Sequence, residues 1–400
     1  MNKVKSVHIP IFMYHSIGVI HDDWLWRYLT VHYQIFDHQM KILKRMGCHS
    51  VSLDEVYNHM KYGHILPSNP FVLTFDDGYS DNWIAAGPIL KKYGFKGTVY
   101  VNPEFVDPRK GCRATLEDVW AGRCQENELE WKGFLSWDEM RNLEKEGVLD
   151  IQSHAMSHTW YFCDSNVIDF QNPDDQYVWM NWNNYPEKKY EYMQKDQELY
   201  KRYGTPIYEH GKSLQIRRYF QSTELDSKMT DYVEENGEKS FFLQPDWKSK
   251  LYKRYNSIKN QYTGRMESDE EMLSRYHYEL HRSKELLEKN LNKKVDYLCW
   301  PGGGYNELSS ELGVKIYKSV VLGSSDQKNK KNIYGEDPKW MKRSGCDFIS
   351  DSDNFEDIKI FGGWSLYLLI KTMQGSKMHN FIRKILKAYH LFVHKMTTTK

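Results

Sequence analysis

Short apolar runs separated by helix-type segments organise the first 160 residues and restrict the chain more than any other feature. Residues 7–14 (VHIPIFMY), 71–75 (FVLTF), 98–101 (TVYV) and 149–153 (LDIQS) are too short for buried helices and rich in β-branched and aromatic side chains. Between them Phe36, Met40, Leu43 and Met46 recur at helical spacing up to Gly47, and residues 81–93 read as a helix closed by Gly94. Ser136 stands three residues before Glu139, the spacing of a capping box. Strands alternating with helices predict an α/β fold with parallel strands. In such folds the C-terminal strand ends converge on one face. His15, the Asp76-Asp77-Gly78 triplet and His154 each follow one of these runs.

The alternation breaks at about residue 160. From there to residue 264 the chain is rich in Tyr, Trp, Asn and Lys, shows no clear period, and is punctuated by Pro173, Pro186, Pro206 and Pro245. This length exceeds an ordinary loop and predicts an insertion or subdomain. Ser268 with Glu271 reopens a helix carrying Leu273, Tyr276, Leu280 and Leu287 on one side. A strand at 297–300, the glycines 302–304 and a further strand at 319–322 follow. The expected organisation is a barrel in two parts (1–159 and 265–350), the 160–264 insertion, and a tail at 351–400. Residues 358–400 hold eight Lys or Arg and no acidic residue, and Phe381, Ile382, Ile385, Leu386 and Tyr389 fall on one helical face. A basic amphipathic helix fits either peripheral membrane contact or packing on its own domain with lysines in water.

Lys and Arg number 55 against 54 Asp and Glu, so no basic field supports nucleic-acid binding. The 29 tyrosines and 13 tryptophans suit partly wet surfaces, sugar sites among them, or an aromatic-rich core. Cys48, Cys112, Cys124, Cys163, Cys299 and Cys346 are scattered, with no CxxC pair, which argues against a disulfide framework or tight zinc cluster. Neither an export-type apolar stretch near Met1 nor a spanning segment is evident, so a cytoplasmic protein is expected.

Three pieces carry chemistry. Adjacent carboxylates at an apolar strand end are costly to crowd unless a cation holds one ionised and leaves the other to act as base. Gly78 permits the sharp turn such a pair needs. A DDG triplet is otherwise a common turn. His154 and His158, four apart, would face one way on a helical backbone, and two imidazoles with a carboxylate suit a catalytic zinc that keeps an open position. His15 lands on the same face and is a candidate general acid or a plain buried histidine.

In order, FVLTFDDGYSDN, SWDEMRNLEKEGVLDIQSHAMSH and YLCWPGGGYN resemble the polysaccharide deacetylases of carbohydrate esterase family 4. IPIFMYHSIG resembles the branch related to biofilm poly-N-acetylglucosamine deacetylases. The resemblance covers about 7–158 and 283–345 and implies a distorted (β/α) barrel that removes acetyl groups from N-acetyl sugars with a divalent metal. It assigns Asp77, His154 and His158 to the metal, Asp76 to the catalytic base, His15 to the general acid, and the backbone N–H of Tyr305 to an oxyanion contact. Zinc is the default, with cobalt, nickel, manganese or iron also accepted by such ligands.

The sequence departs from the pattern in three places, one of them the long aromatic insertion, which would reshape or cover the cleft. The third motif usually carries an Arg near its Pro, whereas Trp300 and Gly302 flank Pro301 here, and Arg343 is the candidate substitute for orienting Asp76. Gln152 stands where many relatives have Gly. The resulting expectation is a sugar deacetylase acting on a polysaccharide or a lipid- or nucleotide-linked precursor. The alternatives are a metal-dependent hydrolase of another amide or ester, and a non-catalytic glycan-binding protein using the aromatic insertion.

Overall fold

Residues 71–75 are buried throughout, and their one polar side chain, Thr74, donates its hydroxyl to the Phe12 carbonyl at 2.8 Å. The computed structural model describes residues 7–323, 329–345 and 355–398. Its main strands are β1 (Ile11–Tyr14), β2 (Pro70–Phe75), β3 (Gly97–Val101), β4 (Leu149–Ser153), β5 (Trp160–Phe170), β6 (Pro206–Lys212), β7 (Tyr297–Cys299), β8 (Ser319–Leu322), β9 (Trp340–Lys342) and β10 (Ser344–Gly345). All of β2 and β3 is buried, as strands covered on both faces must be. The sheet runs β9-β8-β7-β4-β3-β2-β1-β10, with every pair parallel. In register, Leu73 lies beside Phe12, Thr74 beside Thr98, and Val99 beside Ile151.

The two ends of this sheet are neighbours in sequence. Only Arg343 separates β9, which pairs with β8, from β10, which pairs with β1. One chain segment thus joins both edges and closes the sheet into the expected barrel, with Arg343 at the seam.

Helices cover the outside. α1 (Tyr33–Arg45) presents Phe36, Met40 and Leu43 to the core. α2 (Trp137–Lys145) starts with a complete capping box, the Glu139 N–H donating to Ser136 Oγ and the Ser136 N–H to Glu139 Oε2. Such caps stabilise by about 1 kcal/mol. α3 (Asp269–His277) is capped the same way by Ser268 and Glu271, then passes through a π-helical turn (Tyr278–Arg282) into α4 (Ser283–Leu291). That turn corrects one expectation. Tyr276, Leu280 and Leu287 are fully buried, but Leu273 is exposed, because the extra residue of a π-turn rotates the preceding face. α5 (Phe355–Met373) crosses α1 so closely that a Cβ on Gly363 would stand 2.7 Å from a side-chain carbon of Ile42. α6 (Lys377–Thr398) folds back beside it.

The segment 160–264, read as lacking a period, contains a long antiparallel hairpin. β5 and β6 pair from Trp160–Lys212 to Phe170–Pro206, with register shifts between Phe162 and Asp169. Those irregularities break the period-two signal a strand normally carries. Its aromatic core includes Phe162, Phe170, Trp179 and Tyr208, and reaches Phe105 and Phe134 of the barrel. Cys48, Cys112, Cys124, Cys163 and Cys299 are free thiols; Cys346 lies outside the described residues.

Candidate active site

At the end of β2 the chain turns through two consecutive left-handed residues, Asp77 (φ 70°) and Gly78 (φ 69°). The turn sends the adjacent carboxylates apart. Asp76, 2% exposed, receives a two-pronged contact from Arg343, Nη1 to Oδ1 and Nη2 to Oδ2, both at 2.6 Å. Burial alone would raise the Asp76 carboxyl, and the buried guanidinium outweighs it, holding the group below its usual range. The seam residue thus contacts both oxygens of Asp76.

Asp77 points to the histidines. His154 Nε2 lies 3.3 Å and His158 Nε2 3.4 Å from Asp77 Oδ1. The backbone between the histidines is not helical. Ala155 (φ 58°) and His158 (φ 43°) are left-handed, and the rings meet through a tight loop instead. Buried Glu279 holds that loop, accepting from the N–H groups of Met156 (3.1 Å) and Ser157 (3.0 Å).

A metal fits these donors. His154 Nδ1 lies 2.8 Å from the Cys299 carbonyl, an arrangement that places its proton there and turns the Nε2 lone pair toward Asp77. Asp77 Oδ1 is buried without a hydrogen-bond partner. A lone pair and a carboxylate oxygen at van der Waals distance repel unless a positive charge joins them. Burial would lower the His154 imidazole, but Cys299, Asp76 and Asp77 around it raise it well above its ordinary value. Asp77, His154 and His158 offer three ligand atoms within 4.8 Å of one another. Asp76, His154 and Cys299 form a second such group, yet Asp76 is already committed to Arg343.

His15 rises from the end of β1, its Nε2 3.9 Å from Asp76 Oδ2, with a side chain 19% exposed. The Asn82 amide fixes its backbone by donating to the His15 carbonyl.

Comparison with known proteins bears on this geometry. A family model described as polysaccharide deacetylase matches residues 65–208, the span that holds Asp76, Asp77, His154 and His158. Over that segment the chain is similar to the polysaccharide deacetylase family. YxkH of Bacillus subtilis (strain 168), named as a polysaccharide deacetylase, is 30% identical over 155 residues, 38% of this chain and 44% of that protein. The poly-beta-1,6-N-acetyl-D-glucosamine N-deacetylase of Escherichia coli (strain K12) is 24% identical over 32% of this chain and 18% of its own length. The chain thus matches less than half the length of these relatives. A solved de-N-acetylase from Aggregatibacter actinomycetemcomitans superposes with a TM-score of 0.51 at 16% identity, covering 88% of this chain and 99% of that one, a likeness of fold.

The site also draws on side chains that the sequence motifs did not single out. A cavity of about 450 Å³ opens over the carboxylates and is walled by Trp26, Tyr28, Trp160 and Lys212, with Gly302 and Gly303 at its rim. The abundance of Tyr and Trp was the signal, but nothing local distinguished wall residues from core. Cys299 stands 3.8 Å from Asp76 Oδ2, invisible beforehand because its neighbours come from other strands. The Tyr305 ring packs against Trp300 (5.2 Å between centroids), and the same turn contributes Gly302 and Gly303 to the cavity lining. Gln152 has a clear structural role, its Oε1 accepting from the N–H groups of Asp296 and Tyr297 at 2.9 Å and so lacing β4 to β7.

Proposed function

We propose that the protein hydrolyses the acetamide of an N-acetylated sugar, releasing acetate and leaving a free amine. One observation carries the reading: the Asp76–Arg343 pair, the three-ligand group and His15 converge on one cavity with aromatic walls. Asp77, His154 and His158 would hold a divalent cation, with zinc the default for such donors. When bound, it supplies Lewis acidity that polarises an acyl carbonyl and acidifies water.

The chain's own residues do the rest. Asp76, kept ionised by Arg343, takes a proton from the attacking water. His15, on the other side of Asp76, gives a proton to the departing nitrogen as the C–N bond breaks. The aromatic rings of Trp26 and Trp160 offer faces for a sugar ring, and the glycines at 302 and 303 let the backbone approach it. The carbohydrate activity of the named relatives supports this substrate class; the particular sugar and its carrier, polymer or precursor, are left to experiment.

Acetate release from N-acetylated oligosaccharides and from nucleotide- and lipid-linked N-acetyl sugars tests the proposal. Metal-loaded wild type should release acetate, and Asp76→Asn should fall by about 10²–10⁴-fold, the usual weight of a general base. Wild-type silence across the panel, with metal bound, would refute the sugar deacetylase reading.

A further inference from the structure

Helix α6 carries a surface that the catalytic reading does not use. Met378, Phe381, Ile382, Ile385 and Tyr389 are exposed by 65, 66, 38, 54 and 54%. At 100° per residue they fall within an arc of about 100°. They form a single apolar stripe, whereas a monomer's exposed apolar residues are ordinarily scattered. The helix's inward contacts are made elsewhere. His379 stands against Tyr367 of α5 (5.6 Å between ring centroids), and Leu386 packs on the barrel core, about 100° round from the stripe's centre. Lys377 and Lys384 are exposed along the stripe's flank, and the sequence from 358 to 400 contains no acidic residue.

We infer that this face docks on an anionic phospholipid surface. Large apolar residues reach the acyl boundary, the flanking lysines meet lipid phosphates, and the aromatic ring of Tyr389 keeps its hydroxyl at the headgroup level. The uniform positive charge favours such a surface over an apolar protein partner, whose contact would gain nothing from it. No described helix is long and apolar enough to cross a membrane, so the attachment is peripheral. The geometry leaves the active site open. At the end of α5 Lys371 donates to Asn69 (2.8 Å), and the Gln374 side chain just beyond it donates to the Pro70 carbonyl (3.2 Å), so α6 starts beside the beginning of β2, the end remote from Asp76.

Sedimentation of the full chain with vesicles tests this independently of any deacetylase activity. Binding to phosphatidylcholine–phosphatidylglycerol vesicles should exceed binding to phosphatidylcholine alone and weaken with added salt. Lys377→Gln with Lys384→Gln should lower the partition coefficient about 30-fold, and Phe381→Glu with Ile385→Glu should lower it by at least about tenfold. These residues are exposed, so both variants should keep wild-type circular dichroism and acetate release. No binding to the anionic vesicles, or equal binding by wild type and both variants, would overturn the inference. So would a wild-type dimer in light scattering that Phe381→Glu with Ile385→Glu dissolves while vesicles bind neither protein, since the face would then belong to a second copy.

Discussion

Asp76 in the barrel and Asp226 in the insertion are both buried carboxylates, 2% and 5% exposed, and they are pushed in opposite directions. Burial raises both. At Asp76 the Arg343 guanidinium reverses the effect. At Asp226 burial outweighs the hydrogen bond from Gln221 and the more modest pull of Arg202, Oδ1 is left without a hydrogen-bond partner, and the group is pushed up to about 7. The difference separates these two sites. The barrel's strand ends concentrate charge and compensate it with specific partners, which is what chemistry at a fixed point requires. The insertion is held by aromatic packing and tolerates a carboxyl that is neutral over much of the acidic range.

Arg343→Met should give the largest effect, because it turns the first region into the second. Asp76 would keep its burial and lose its cation. Breaking a buried pair from one side costs about 3–5 kcal/mol, to be read as a lower midpoint in denaturant unfolding. The sign follows from the depressed Asp76 carboxyl. Its stabilising contribution is present above the ordinary carboxylate range and disappears as pH falls through the lower native value. In the variant that acid-side loss should be missing, and the acid limb of the activity profile should move to higher pH. An unchanged profile would show that Arg343 does not set the Asp76 charge.

Asp77→Asn sharpens the distinction within the barrel. The amide keeps the shape and removes the anion. Metal affinity should drop by more than the roughly 10–100-fold typical of losing an outer partner of a ligand, measured by elemental analysis and calorimetric titration. Asp76→Asn, by contrast, should retain metal. Equal loss in both would mean that the two carboxylates do not divide their roles.

The sequence exposed the site's ingredients more clearly than its construction. Asp76, Asp77, His154 and His158 were legible because each follows an apolar run whose end has to open on one face. The capping boxes at Ser136 and Ser268 were legible because their chemistry is local. The loop joining His154 to His158 was not legible, since the Glu279 that shapes it lies more than a hundred residues away. Arg343 owes its place to barrel closure, which depends on strand order rather than on any motif. Leu273 and the β5–β6 hairpin escaped for a shared reason, a π-turn in one and register shifts in the other, each erasing the period that pattern reading relies on.

Asp226→Asn tests the insertion's side of the comparison. A carboxyl raised to about 7 in the native state binds more protons than the unfolded chain between about pH 4 and 7. Stability therefore falls as pH rises across that window, and the full cost, on the order of a few kcal/mol, is present above it. The amide should remove the cost, so that the variant matches wild type near pH 4 and unfolds at higher denaturant at pH 8. Equal stability at both pH values would mean that Asp226 is solvated in solution.

The smallest expected effect lies where the two regions touch. Trp160 opens the insertion, lines the cavity over Asp76 and Asp77, and stands against His158 (5.5 Å between ring centroids) and Trp182 (6.2 Å). Its ring can serve the barrel in two ways that kinetics separate. As a face for the sugar, it binds ground state and transition state alike, so Trp160→Ala should raise KM about tenfold, in keeping with the roughly 0.5–1.5 kcal/mol of a ring contact, and leave kcat within a factor of a few. As a support for His158, its loss would loosen a metal ligand and lower kcat and metal affinity together. The ring's partial exposure at the cavity wall favours the first outcome. Trp160→Phe distinguishes packing from chance, because a smaller ring at the same place should recover most of the KM and none of a lost hydrogen bond. A fall in kcat with KM unchanged would instead make the insertion part of the metal site's scaffold, and the division between a charged barrel and an aromatic insertion would no longer hold at their boundary.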